Sequence, residues 1–258
     1  MWEALVFGAL ASSALVAGGL LGSFWRPSSL VTGGMLAFAS GTLISALAFE
    51  LFPEAVELGG LRASGWGLLA GAATFVVINA WLDRRVAQPE EVEGPPAGAR
   101  PGRREKVAVA RQGVGLALLA AVTLDGVPEN LALGVSLAGE QAVGGGSLAL
   151  LVAIFASNFP EAMVGAVAMR DQGRPVGYAV GLWGATAALL TLAVVVGRQA
   201  LATAEPEALA FPLAFAGGAV LASLADTLMP EAFERGRPVN AFATAAGFFV
   251  SFALAETA

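Results

Sequence analysis

Eight apolar stretches run through this sequence of 258 residues. A helix needs about 20 such residues to span the hydrocarbon core of a bilayer. Because backbone groups must be hydrogen-bonded within lipid, stretches of this length predict helices. Only 13% of the residues are charged, about half the share in a soluble domain. We therefore predict an all-α membrane protein with one transmembrane domain, 1–258, and eight transmembrane helices near 3–24, 29–52, 64–82, 108–137, 145–169, 175–197, 208–230 and 238–256.

Two residue types that carry much of protein chemistry are missing from the chain. It has no cysteine, which excludes disulfides, thiolate metal sites and a cysteine nucleophile. It has no histidine, so the commonest transition-metal ligand and proton shuttle is absent. The first apolar stretch has no basic segment before it and is long enough to span, which predicts a membrane helix rather than a cleaved signal peptide. The basic residues cluster in one short loop, and we expect no nucleic-acid partner.

Arginine and lysine are divided unequally between the loops, which indicates how the helices are oriented. Two of them, Arg62 and Arg198, fall on one side of the predicted topology and twelve on the other. The twelve are Arg26, Arg84, Arg85, Arg100, Arg103, Arg104, Lys106, Arg111, Arg170, Arg174, Arg235 and Arg237. Because cytoplasmic loops carry the excess, we predict a multi-pass protein of the cell membrane with both termini outside. The loop at 83–107, rich in proline, glycine and charge, is then cytoplasmic and expected to be disordered.

One segment of the sequence occurs twice. AFASGTLISALAFELFPEAVE spans 37–57 and AFAGGAVLASLADTLMPEAFE spans 214–234, with eleven of 21 positions identical at a constant offset of 177. The loop charges predict that the two copies run in opposite directions across the membrane. Inverted repeats are typical of secondary transporters, whose substrate site lies near the midplane where the two halves meet. The predicted order is three helices, a central pair and three helices, a 3+2+3 inverted-repeat bundle.

Both helices of the central pair contain a proline followed by a glutamate. A polar residue stands four positions before each glutamate, on the same helix face. Carboxylates in the middle of membrane-length helices are read as functional. Each proline also frees the carbonyl four residues earlier, at Leu124 and Ala156, and such oxygens can line a cation site. The predicted metal ligands are Asp125, Glu129, Ser157, Asn158 and Glu161.

Three carboxylates share this predicted pocket: Asp125, Glu129 and Glu161. So many like charges in a medium of low dielectric constant cannot all stay ionised while the pocket is empty. A divalent cation or bound protons would remove the repulsion. We therefore predict that the empty site holds protons and releases some of them when metal binds. The alternative is that the prolines mark kinks and the glutamates are satisfied by neighbouring groups.

The repeated segments contain further acidic residues. Pro53-Glu54 and Pro230-Glu231 are expected to mark helix ends. Glu50 and Asp226 lie deeper in their helices, so they are candidates for the metal site or the transport path, with a structural role as the alternative. Asn79 is predicted to form a hydrogen bond between helices.

In the central pair, the sequence resembles the ZIP (Zrt/Irt-like protein) family of divalent metal transporters. That family has eight transmembrane helices in a three-two-three inverted arrangement with both ends outside. Its members read roughly His-Asn-x-Pro-Glu-Gly in helix 4 and (His/Gln)-(Asn/Asp)-x-Pro-Glu in helix 5. The corresponding windows here are DGVPEN at 125–130 and SNFPEA at 157–162.

The resemblance implies a role for each residue of these windows. Glu129 and Glu161 would be metal ligands, and Asp125 would stand in for the histidine of helix 4. Ser157 would take the ligand position of helix 5, and Asn158 the second-site position beside it.

The departures from the family pattern concern the number of sites and the ion. Gly126 replaces a potential ligand, the loop at 83–107 has no histidine, and the helix 6 stretch YAVGLWGATAALL lacks a glutamate found in many members. One metal site is therefore favoured over two. Oxygen ligands favour manganese or ferrous iron, whereas the resemblance favours zinc, so the ion stays open.

The predicted function is transmembrane transport of a divalent metal cation as substrate, without enzymatic activity or a resident cofactor. The expected partners are this cation and the lipid bilayer, and a homodimer is compatible with the sequence. One alternative is a transporter, sensor or channel for another small solute, because the chain has no histidine. Another is an intramembrane enzyme in which Asp125 and Asp226 share a proton, although neither stands in a Gly-x-Gly-Asp motif.

Overall fold

The computed structural model describes residues 1–86, 126–137, 145–201 and 205–257. Within these ranges 93% of the residues are helical and none lies in a strand, which confirms the all-α class. In chain order the helices are α1 (Trp2–Phe24), α2 (Ser29–Ala46), α3 (Phe52–Val86), α4 (126–136), α5 (Gly145–Asp171), α6 (Val176–Leu201), α7 (Pro206–Ser223), α8 (Met229–Gly236) and α9 (Asn240–Thr257).

Five stretches of the described residues are long and apolar enough to cross a membrane. A sixth, Asn240–Glu256, is apolar but shorter. Helices of this length and composition are those of a membrane protein, as the sequence predicts. The five stretches are Trp2–Phe24, Ser29–Trp81, Ser147–Asp171, Val176–Gln199 and Glu207–Gly236.

The predicted gap between helices 2 and 3 is mostly helical. α2 passes into a π-helical turn, Leu47–Leu51, and α3 follows it directly. Proline is tolerated there because the π-helical turn already interrupts the regular hydrogen-bond ladder. The predicted end at residue 52 is therefore wrong. The helix breaks instead at Gly60, whose φ of 75° suits a residue without a side chain.

The second copy of the repeated segment has the same local structure. Leu224–Leu228 is a π-helical turn between α7 and α8, 177 residues after Leu47–Leu51. In both copies a proline stands two residues beyond the turn, Pro53 and Pro230. Proline has no N–H to donate, so each π-helical turn lies where a regular backbone hydrogen bond of the α-helix is missing. The predicted end of helix 7 at 230 is also wrong, since helix continues through α8.

Glycines hold α1, α4, α5 and α6 together as one group of helices. On α1, Gly18 lies against the carbonyl of Phe159 in α5, where a Cβ atom would overlap the oxygen. The next residue, Gly19, makes room for the ring of Trp183 in α6. Small residues allow such close backbone approach between membrane helices. Gly18 and Gly19 therefore serve helix packing.

A second group comprises α2, α3, α7, α8 and α9. Gly71 of α3 lies against the carbonyl of Phe215 in α7, and Gly41 of α2 against the carbonyl of Thr244 in α9. Among the described residues, every close contact made by a helical glycine joins helices of the same group. The two groups meet where α5 packs on α2 and α9. Close glycine contacts thus define two groups of helices, and no such contact between described residues crosses the boundary between the groups.

Candidate metal centre

Two polar residues of α4 are buried side by side. Glu129 is 4% exposed and Asn130 is fully buried. α4 is pressed onto α6 at Gly134, where a Cβ atom would overlap the carbonyl oxygen of Val194. Asn130 lies one helical turn before Gly134, on the same face of α4. A carboxylate buried in this way needs polar partners or a cation.

The polar residues of α5 are buried next to Pro160, which lies inside the helix. Ser157 is 2% exposed and Asn158 is 1% exposed, whereas Glu161 is half-buried. Because proline has no N–H, the carbonyl of Ala156 loses its usual donor four residues later. α1 packs on this turn through Gly18, which fixes the backbone beside the polar residues.

A contact between two serines sets the relative height of α4 and α5. The hydroxyl oxygens of Ser136 and Ser147 are 3.2 Å apart, and both helices lead away from this point. At about 1.5 Å per residue, Glu129 lies about 10 Å along α4, while Ser157 and Asn158 lie about 15 and 16 Å along α5. The three side chains are thus within about one helical turn of each other in height.

Two amide groups in this region are incompletely hydrogen-bonded among the described residues. Asn130 donates from Nδ2 to the carbonyl of Gly126 at 2.8 Å, but its Oδ1 has no donor. The Nδ2 atom of Asn158 has no acceptor. A buried polar atom without a partner costs about 1–3 kcal/mol, so these atoms call for an explanation. A cation would satisfy the Asn130 oxygen directly, and the Asn158 oxygen after a 180° rotation of its amide.

The hydroxyl of Ser157 remains available as an oxygen ligand. It donates to the carbonyl of Ile154 at 3.0 Å, which leaves its lone pairs free to accept. Asn130 was not among the predicted ligands, since it stands where the family pattern has a glycine. Its position next to Glu129 in the helix 4 window was the available signal.

Part of the predicted site lies outside the described residues. This applies to Asp125, to the carbonyl of Leu124, to the start of predicted helix 4 and to 87–107 of the predicted loop. Within the described ranges, no three acidic residues are grouped so that they could hold a metal ion. The described carboxylates of the candidate site are therefore those of Glu129 and Glu161, and its other described oxygens are neutral.

Glu50 and Asp226 belong to the second group of helices, each on a π-helical turn. Asn79 of α3 donates from Nδ2 to the Asp226 carboxylate at 2.7 Å, which confirms the predicted hydrogen bond between helices. Glu50 lies near enough to Glu256 of α9 to interact with it electrostatically. Asn79 and Glu256 are themselves 177 residues apart (256 − 79). The residues that interact with the two acids are thus separated by the same offset as the two copies of the repeated segment.

The hydrogen bond between Asn79 and Asp226 should couple α3 to α7 energetically. We expect a double-mutant cycle of Asn79→Ala and Asp226→Ala to give a coupling energy of about 0.5–2 kcal/mol, the range for polar contacts between membrane helices. Unfolding of the purified protein in detergent measures it.

The control cycle combines Asn79→Ala with Ser13→Ala. Ser13 lies in α1, and its hydroxyl donates to Leu10 of the same helix at 2.6 Å. This cycle should be additive to within about 0.5 kcal/mol. Equal coupling in the two cycles would contradict a specific bond.

The chain was also compared with known proteins. No family model matches the sequence, and no curated protein matches it significantly.

Proposed function

We propose that this chain transports a divalent metal cation, namely zinc, manganese or ferrous iron, across the cell membrane. The observation that carries this proposal is the burial of Glu129 on α4 at the height of Ser157 and Asn158 on α5. Ionisable residues in membrane-length helices are rare and commonly mark the path of a substrate or an ion. A doubly charged ion would be neutralised by the carboxylates and would also be bound by the unpaired Oδ1 atom of Asn130.

The proposed ligand set consists of oxygen atoms alone. It extends the predicted residues by one, because the Oδ1 atom of Asn130 is buried without a donor. Hard oxygen ligands suit manganese and ferrous iron, while the resemblance to the ZIP family favours zinc. The proposed ligands are Asp125, Glu129, Asn130, Ser157, Asn158 and Glu161, with Glu50 and Asp226 placed along the transport path.

The proposed architecture is the 3+2+3 inverted repeat of eight transmembrane helices. Two observations support it besides the repeated segment: the π-helical turns 177 residues apart, and the break at Gly60, which divides the 53-residue stretch Ser29–Trp81. At about 1.5 Å per residue, an unbroken helix of that length would be far longer than a bilayer is thick. The arginine-rich side is the cytoplasm, and both termini are outside.

Transport in this proposal is a movement of one helix group against the other. Close glycine contacts join the helices within each group, and none of those in the described part of the chain crosses the boundary along α5. The metal ligands of α4 and α5 travel with the first group, and the inverted repeat supplies equivalent surfaces on the two sides of the membrane. When the site empties, its carboxylates take up protons, which a new cation releases.

Calorimetry and uptake by the purified wild-type protein test the proposal together. We expect a saturable heat with at least one of Mn²⁺, Zn²⁺, Fe²⁺ and Cd²⁺, and uptake of that ion into proteoliposomes above protein-free liposomes. The heat should vary with the ionisation enthalpy of the buffer, because binding releases protons. Absence of both binding and uptake for all four ions would favour another small solute as substrate.

A further inference from the structure

An open groove of about 640 Å³ follows the boundary between the two helix groups. It is lined by apolar residues of α2, α5 and α9, among them Phe38, Phe155, Phe159 and Phe242. The Phe242 side chain is 78% exposed. In a membrane-spanning chain, such an apolar channel on the outer surface faces lipid rather than water.

The groove touches the turn of α5 that carries the candidate metal ligands. Ala156 and Phe159 line it, whereas Ser157 and Asn158 are buried. One side of this helical turn therefore faces the groove, and the other side carries the buried candidate ligands. An occupant of the groove would lie directly between α5 and the second group of helices.

One end of the groove lies where α2 and α9 begin. Leu30 and Val239 line this end. The chain segments before these two residues are joined, because the Ser29 hydroxyl donates to the carbonyl of Arg235 at 3.2 Å. In the topology predicted from the loop charges, this end is on the side where the arginines concentrate.

An arginine without an ion pair among the described residues stands at this end. Arg237 is exposed, two residues before Val239, and its guanidinium lies 4.4 Å from the centre of the Phe233 ring. Among the described residues, Arg237 takes part in no ion pair, whereas Arg235 is bonded to Glu231 at 3.0 Å. Arg237 is therefore free to bind an anion.

We propose that the groove holds one anionic phospholipid, with an acyl chain along the apolar walls and its phosphate at Arg237. The acyl chain would pack against the apolar residues that line the groove. Without a bound lipid, these residues would contact only the disordered lipid of the surrounding bilayer. The guanidinium supplies the selectivity, since basic pockets between membrane helices favour anionic headgroups. This binding does not depend on what the protein transports.

Native mass spectrometry of the purified full chain, incubated with equal amounts of phosphatidylglycerol and phosphatidylcholine, tests the proposal. The wild type should retain one phosphatidylglycerol, with a preference over phosphatidylcholine of at least about 5-fold. This is the effect expected from one arginine close to an anionic headgroup. Gly34→Leu should lose the lipid, because Gly34 lines the groove and a Cβ atom there meets no atom within 4 Å. Arg237→Gln should keep a lipid but lose the preference.

Two variants serve as matched controls. Gly184→Leu places the same side chain on α6, where a Cβ atom also meets nothing within 4 Å. Arg62→Gln removes an exposed arginine from the opposite side of the predicted topology. Both should retain phosphatidylglycerol like the wild type. The proposal fails if the wild type shows no preference, or if a stably folded Gly34→Leu retains as much lipid as the wild type. If Gly34→Leu does not fold, an undiminished preference in Arg237→Gln overturns it.

Discussion

Replacing Glu129 by glutamine should abolish metal uptake and leave a folded protein. Glutamine keeps the shape of the side chain and one carbonyl oxygen but removes the negative charge that neutralises the cation. Loss of a residue that only supports a metal ligand already costs about 10–100-fold in affinity. We therefore expect uptake into proteoliposomes to fall by about 100-fold or more. Glu161→Gln should have a comparable effect, since it is the second described carboxylate of the site.

Glu231→Gln is the matched control for this experiment. Glu231 also follows a proline, but it pairs with Arg235 on the surface at 3.0 Å and belongs to the second helix group. Its substitution should leave uptake unchanged. Thermal unfolding and size-exclusion profiles of all three variants establish that the proteins are folded. Wild-type uptake by the double variant of Glu129 and Glu161 would refute the metal site.

Gly71→Ala should destabilise the protein by about 3 kcal/mol, the upper part of the range for overpacking. A Cβ atom at Gly71 would overlap the carbonyl oxygen of Phe215 and lie 3.0 Å from the backbone nitrogen of Ala219. Both are backbone atoms, so α3 and α7 must separate along their contact. The thermal unfolding midpoint in detergent measures the loss. Gly218→Ala should behave alike, since a Cβ atom there would overlap the carbonyl oxygen of Leu68.

The control lies in the same helix. Gly65 is also in α3, but a Cβ atom there meets nothing within 4 Å. Alanine is a better helix former than glycine by about 1 kcal/mol, so Gly65→Ala should leave the midpoint unchanged or raise it. The two substitutions thus have opposite expected signs. A midpoint for Gly71→Ala as high as that for Gly65→Ala would show that the backbones of α3 and α7 are not in contact there.

The helix class followed from the sequence, but several helix ends did not. The apolar stretches predict helix ends at 52 and 230, next to Pro53 and Pro230. The structure keeps the chain helical by widening the turn before each proline. Such a shift in hydrogen bonding leaves no mark in composition or hydropathy. The break at Gly60 lies inside the predicted gap at 53–63, but most of that gap is helical.

The candidate site was predictable in its residue types and less so in its surroundings. Glu129, Ser157 and Asn158 stood out because polar groups are rare in long apolar helices, and all three are buried. Asn130 was overlooked, since its unpaired oxygen becomes evident only when its neighbours are known. The predicted hydrogen bond of Asn79 was correct, but its acceptor, Asp226, is 147 residues away and no local pattern indicates it.

The sequence by itself determined that this chain is helical and apolar, because lipid permits few other conformations for long apolar segments. It also determined which side chains are chemically out of place there, since a carboxylate in hydrocarbon is expensive wherever the helix packs. Only the tertiary structure decided which helices belong to each group. That grouping depends on backbone approaches at single glycines such as Gly18 and Gly71. Glycine occurs throughout the helices, but a close contact forms only where the backbone of another helix lies against the glycine.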